Sequence, residues 1–331
     1  MHTYRNSSDQ VSNLNEVRDE LKRININDEE LNMSSEQTTS KIEVVKQQPK
    51  PTTNKESIIK NKGTGAGGSN TNKHGISYEE KMCIWEHIIV SNNIDLNKDY
   101  SILTSEDIKK CKKTWKGKEN QFEPRLLCKM DTSKSRPQCF IDNNICILSI
   151  KNGIYALVKH NIYIPLIEYQ SVPNIITNKP NSLILDIGES ETSMLDKLKY
   201  NSILDDIIGE KIDYGPLLGG RHRCNFNTTI NNKRIEIKGS QYETDGCYET
   251  DNYVCIVEAK SSECVDFNIR QLYYPFREVY KKVGNKKKII CLFIYKNKQN
   301  IIHIHKYKWN NIDEILDIVN IGYYQYYINY K

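Results

Sequence analysis

Asp245, Glu258 and Lys260 are the residues of this chain whose types and spacing could do chemistry together. Glu258-Ala259-Lys260 puts a carboxylate and an amine two positions apart at the end of the apolar run YVCIV, and Asp245 lies a hairpin's length upstream. Asp251-Asn252 can form the two-residue turn of a hairpin, since both types tolerate the left-handed backbone such turns need. Counting outward from that turn sets Thr250 opposite Tyr253, Cys247 opposite Ile256, Asp245 opposite Glu258 and Glu243 opposite Lys260. Opposed residues share a sheet face, as do alternate residues along one strand, so Asp245, Glu258 and Lys260 emerge on the same side. Carboxylates about 5 Å apart repel one another, and a divalent cation removes the conflict. Hard oxygen ligands at that separation suit Mg²⁺, which keeps several waters and commonly takes one or two carboxylates plus a substrate phosphate. Lys260 would hold or activate an attacking water and offset phosphate charge, which makes the chemistry phosphodiester hydrolysis.

An acid-x-base triplet alone carries little weight, because 42 acids and 47 bases in 331 residues produce about six by chance. Glu236-Ile237-Lys238 is one such rival. Glu258 stands apart because its strand is continuously apolar, as a central strand should be, and runs directly toward a helix.

The rest of the chain must position these groups. A net charge of +5 is a mild bias toward polyanions, discounted here because Asn, Ile, Lys and Tyr are abundant while Ala occurs three times, a skew of coding composition. The ten cysteines show no C-x-x-C and no zinc-type Cys/His spacing. No apolar stretch is long enough to span a membrane, and the start MHTYRNSSDQVSN has no signal-peptide core. The expectation is a soluble protein of the reducing cytoplasm with no membrane partner.

Residues 1–75 are polar and close with glycine- and proline-bearing runs, a composition that reads as a disordered tail and linker with a transient helix between about Asn15 and Asn32. Residues 76–190 read as a small α+β module that helps recognise DNA. Met82, Trp85, Ile88 and Ile89 fall at near-helical spacing, Thr104 or Ser105 caps a second helix, and β-rich runs broken at Asn152-Gly153 follow, an order resembling a winged helix. Residues 191–331 read as the catalytic domain. It opens with a helix ending at Gly209, continues through strands to YVCIVEAK, then the helix NIRQLYYPFREVYKK, then two strands, the second of which carries His303 and His305 on an edge. In that second helix Ile269, Tyr273, Phe276 and Tyr280 should face the sheet, Pro275 kinks it, and Arg270, Arg277 and Lys281 are left on another face.

At these residues the chain resembles the PD-(D/E)XK nuclease superfamily, whose motif is an acid on one strand and (D/E)-x-K on the next. DFNIRQLYYPFR after VEAK, together with FEPRLLCKMD, NNICILSIKNGIY and GGRHRCNFN, is similar to type II restriction endonuclease-like proteins over about residues 78–310. The resemblance implies an α/β (α+β) fold, a restriction-endonuclease-like mixed sheet flanked by helices. It implies Asp245 and Glu258 as Mg²⁺ ligands, with the Ala259 carbonyl completing the site, and Lys260 as the catalytic lysine. Gln271 matches a helix glutamine that some members add. The motif's proline is replaced by Thr244. Arg270 and Arg277, and more distantly Arg221 in a glycine-flanked basic loop, are candidates to clamp phosphates of double-stranded DNA. The implied activity is a Mg²⁺-dependent DNA endonuclease, with a homodimer on palindromic sites as the analogy. A repair or recombination nuclease of the same fold, or a DNA-binding protein without turnover, are the alternatives. Gly153-Ile154-Tyr155 with Tyr163-Ile164-Pro165 imitates another nuclease motif, but lacks its second glycine and reads as an ordinary hairpin.

Overall fold

The computed structural model describes residues 77–116, 122–169 and 171–330, so the tail and the expected 15–32 helix lie outside the described residues. Ser77 starts α1 (Tyr78–Ser91) with a reciprocal capping box to Glu80, and the helix buries Ile84, Trp85 and Ile88. After β1 (Tyr100–Thr104), Thr104 and Asp107 form a second capping box on α2 (Ser105–Cys111). Two short helices follow, α3 (Pro124–Leu127) and α4 (Gln138–Asp142), then β2 (Cys146–Lys151) and β3 (Ile154–Val158). Gly153, at φ +72°, turns β2 into β3. These strands form an antiparallel sheet of order β1-β3-β2.

Short strands β4 (Tyr163–Pro165) and β5 (Asn174–Ile176) lead to α5 (Glu191–Tyr200) and α6 (Ile203–Ile208). The sequence reads these two as one helix; Ser202, at φ +58°, breaks them, and Gly209 at φ +92° ends the second. Next come β6 (Arg221–Ile230), β7 (Lys233–Glu243), β8 (Gly246–Glu249), β9 (Tyr253–Lys260) and β10 (Asp266–Asn268). The chain then runs through α7 (Arg270–Val283), β11 (Lys288–Lys296), β12 (Ile301–Trp309) and β13 (Ile318–Ile328). Pro275 lies inside α7, which is a single helix of 14 residues.

The main sheet is mixed, with order β5-β13-β12-β11-β9-β8. β9 and β11 run parallel across the crossover that carries α7, and the pairs β8–β9, β11–β12 and β12–β13 are antiparallel. Alternation along β9 divides its side chains between two layers: Val254 and Ile256 join the core that includes α7, while Cys255, Val257 and Ala259 join the core under α5 and α6. The fold is therefore α+β, a mixed sheet flanked by helices. Glu258 shares parity with Ile256 and points to the α7 side.

The structure shows no separation at the expected 190/191 boundary. The described residues on both sides of it belong to one compact unit. β4 pairs with β10 and β5 with β13, and one continuous core runs from Ile84 to Ile315. His303 and His305 are also corrected: β12 is an interior strand, and both rings are buried, with His303 stacked on Tyr295 at 4.7 Å. Among the described residues no helix is long and apolar enough to cross a membrane.

Candidate active site

β8 and β9 pair with Gly246 opposite Val257 and Cys247 opposite Ile256, and the turn closes with Thr250 N–H donating to the Tyr253 carbonyl at 2.9 Å. Just before β8, Asp245 N–H donates to the Val257 carbonyl at 3.2 Å. The paired register itself ends at Gly246–Val257, so Asp245 meets β9 at Val257, one residue short of the Glu258 pairing counted from the Asp251-Asn252 turn. The Asp245 carboxylate is fixed from below by the Ala259 N–H, 2.7 Å from its Oδ2.

Lys260 gathers the group. Its Nζ lies 2.5 Å from Glu258 Oε1, 2.9 Å from the Ala259 carbonyl and 3.9 Å from Asp245 Oδ2. A cation therefore already rests on the three oxygens that the sequence reading gives to a metal. Gln271, in the first turn of α7, donates from Nε2 to Glu258 Oε1 at 2.6 Å, and its own Oε1 is buried with no hydrogen-bond partner. The start of α7 is clamped by the upstream residues: Asn268 N–H donates to the Asp131 carbonyl at 2.8 Å, its Nδ2 to the Met130 carbonyl at 3.1 Å, and Ile269 N–H to the Ile162 carbonyl at 3.0 Å. Ser133 N–H adds a bond of 2.8 Å to Asp266 Oδ1, and its hydroxyl bonds Asp266 Oδ2. Gln271 is thus aimed at Glu258 by residues more than a hundred positions away.

Glu258 is only 8% exposed. Burial pushes its carboxyl up to about 7, and Asp245 adds to that rise against the pull of the Lys260 ammonium. Burial works in the opposite sense on Lys260, but Glu258 and Asp245 outweigh it and hold the ammonium above its ordinary value. The pair is poised so that a proton on Glu258 is in play near neutrality while Lys260 stays charged.

Of the residues expected at the site, the structure brings together Asp245, Glu258, Ala259, Lys260 and Gln271. Arg270 begins α7 next to Gln271, its guanidinium 5.9 Å from the Tyr274 ring centroid. Arg277 is a correction. It is 8% exposed, and its Nη1 donates to the Asn227 and Ile312 carbonyls and the Tyr273 hydroxyl at 2.7–2.9 Å, while Nη2 pairs with Asp313 at 2.8 Å. With those partners it braces α7 against β6 and the loop after β12, not a phosphate. Arg221 is corrected in part: it lies on a strand, not a loop, and pairs with Glu243 at 2.6 Å. The rival triplet fails on geometry, since Glu236 and Lys238 face Asn227 and Asn225 across β6, with no second carboxylate opposite.

Two acids were missed. Glu191, at the start of α5, accepts from the Ser261 N–H at 3.3 Å and is among the charges acting on Lys260. Asp131 is among those acting on Glu258. In sequence Glu191 looks like any first-turn acid behind an N-cap serine, and Asp131 like the end of a polar loop. Among the described residues no three His, Cys, Asp or Glu side chains converge as a metal cluster, so the donor set at this site is two carboxylates and a carbonyl.

A mixed sheet with two carboxylates and a lysine at the ends of adjacent strands defines the class of site. The chain belongs to the family described as a domain of unknown function, DUF6997, whose model matches residues 148–327. A second model, the domain of unknown function DUF6996, matches residues 83–157, which covers most of the upstream helices and the β1-β3-β2 sheet. The two matches overlap inside β2 and β3, far from residue 190. No curated protein and no solved structure matches the chain.

Proposed function

We propose that this protein is a Mg²⁺-dependent endonuclease that hydrolyses phosphodiester bonds of duplex DNA, of the type II restriction endonuclease-like kind. The observation that carries the proposal is the convergence of Asp245, Glu258 and the Ala259 carbonyl on one position, which the Lys260 ammonium fills. The donors fit Mg²⁺: all are hard oxygens, two are anionic, and the orphaned Gln271 Oε1 offers an acceptor for a coordinated water. When bound, Mg²⁺ supplies charge neutralisation at the scissile phosphate and acidifies a water.

The chain's own residues do the rest. Asp245 and Glu258 bind, and Ala259 N–H and Gln271 Nε2 keep each carboxylate in one orientation. Glu258 must lose its proton before it can act as an anionic ligand, and a bound cation would itself favour that loss. Lys260 is near enough to both carboxylates to orient an attacking water between them and the phosphate, and to offset charge that grows on the phosphate as the new bond forms. Incubating the purified protein with plasmid DNA and Mg²⁺, then sequencing the ends, tests the proposal. Discrete fragments that disappear in EDTA are expected, and intact plasmid across a range of divalent cations would refute it.

A further inference from the structure

β6 and β7 form a two-stranded sheet of their own, 10 and 11 residues long, outside the main sheet. Its inner face is apolar: Phe226 packs edge-on against Tyr273 and Tyr274 of α7, and the Ser240 hydroxyl bonds the Ser149 carbonyl of β2 at 2.9 Å. Its outer face is polar and open. Across the ladder Arg223 faces Gln241 and Asn225 faces Lys238, and all four are exposed. The side chains of Arg223, Lys238 and Gln241 make no hydrogen bond or ion pair with any described residue. The acids on this face are Glu236 and Glu243, and Glu243 is taken up by Arg221.

A bulge joins this face to the active site. Gly239, at φ +72°, is the extra residue, and its N–H donates to Asn225 Oδ1 at 2.9 Å. The bulge shifts strand parity, so the exposed positions 234, 236 and 238 continue as 241 and 243, with Tyr242 and Thr244 buried between and beyond them. β7 ends at Glu243, and the chain bends at Asp245, two residues on. At roughly 3.3 Å per residue, the path from Gln241 to Asp245 spans at most about 13 Å. That is about four base-pair steps along B-DNA.

We infer that the outer face of the β6–β7 ribbon reads base edges in the major groove of the duplex, with Arg223, Gln241, Asn225 and Lys238 as the reading side chains. This inference rests on the nuclease reading for its substrate. A two-stranded ribbon fits the major groove, arginine and lysine match guanine O6 and N7, and the amides match adenine N6 and N7. The Arg223 and Lys238 side chains have no partner among the described residues, and β7 leads within two residues to Asp245. The excess of unpaired cations also complements the phosphates flanking the groove.

The test is selection of bound duplexes from a randomised pool in Ca²⁺, using the full chain and its Arg223→Ala/Gln241→Ala variant, with thermal melting to show that both fold. The wild type is expected to enrich a short motif, and the variant to lose discrimination at one or more of its positions by about tenfold or more. An unchanged motif in the variant, or no motif or no duplex binding in the wild type, overturns the inference. Selective binding without any cleavage in Mg²⁺ leaves the ribbon's role standing and removes the nuclease reading instead.

Discussion

Replacing Glu258 with Gln in metal-free protein removes a carboxylate whose ionisation burial opposes. The group's ordinary value is 4.5 and burial carries it to about 7. Below pH 4.5 the carboxyl is protonated in both folded and unfolded chains, and its contribution to stability is fully present. As pH rises from 4.5 to 7 the unfolded chain ionises freely while the folded one holds its proton, so that contribution is lost progressively and levels off above 7. The interval corresponds to about 3 kcal/mol at 1.36 kcal/mol per pH unit. Gln271 and Lys260 retain a hydrogen-bonding partner in the amide oxygen of Glu258→Gln, which has no proton to lose. Urea denaturation in EDTA, followed by tryptophan fluorescence between pH 4.5 and 7.5, measures the difference. The variant should gain on the wild type by about 3 kcal/mol across that range, and Mg²⁺ at pH 8 should stabilise the wild type more than the variant. A difference that stays flat with pH would refute the reasoning, since it would mean Glu258 ionises as an exposed carboxylate does.

Asp245→Ala or Glu258→Ala should abolish cleavage while leaving duplex binding measurable in Ca²⁺, checked by gel shift beside a cleavage assay. Lys260→Ala should slow the single-turnover cleavage rate by about 100-fold or more with little change in binding, because its charge acts where negative charge grows. Arg277→Ala should lower stability by about 2–3 kcal/mol in a denaturant titration, since it removes three charge-assisted hydrogen bonds, to the Asn227 and Ile312 carbonyls and the Tyr273 hydroxyl. Arg270→Ala should instead leave stability near that of the wild type and reduce the salt dependence of duplex binding by about one phosphate contact.

The part of the site that depends on local counting was legible in the sequence. The Asp251-Asn252 turn fixes the β8–β9 register, and register fixes which side chains share a face, so Asp245, Glu258 and Lys260 could be placed without coordinates. Gln271 came only from the resemblance to the nuclease superfamily, not from counting. What failed depended on distant partners. α7 lies between the main sheet and the β6–β7 ribbon and is buried on both sides over 272–277, so the usual rule of one apolar and one polar face misassigned Arg277. The continuous run LYYPF was the available signal. β13, rich in tyrosine and short of the usual aliphatic residues, went unread, and without it β12 looked like an edge and its histidines like surface. The β4–β10 and β5–β13 pairings join segments about 100 and 150 positions apart, which no composition shift at residue 190 could reveal. The bulge at Gly239 hid β7 by breaking its alternation into two short pieces of opposite parity.

The central claim is that Asp245 and Glu258 together hold a divalent cation. Titration of the protein with Mn²⁺, followed by electron paramagnetic resonance of the free ion at pH 8, measures this without reference to catalysis. The account predicts that wild-type protein takes up Mn²⁺ in competition with Mg²⁺, and that Asp245→Asn/Glu258→Gln does not. Equal uptake by the two proteins would contradict it.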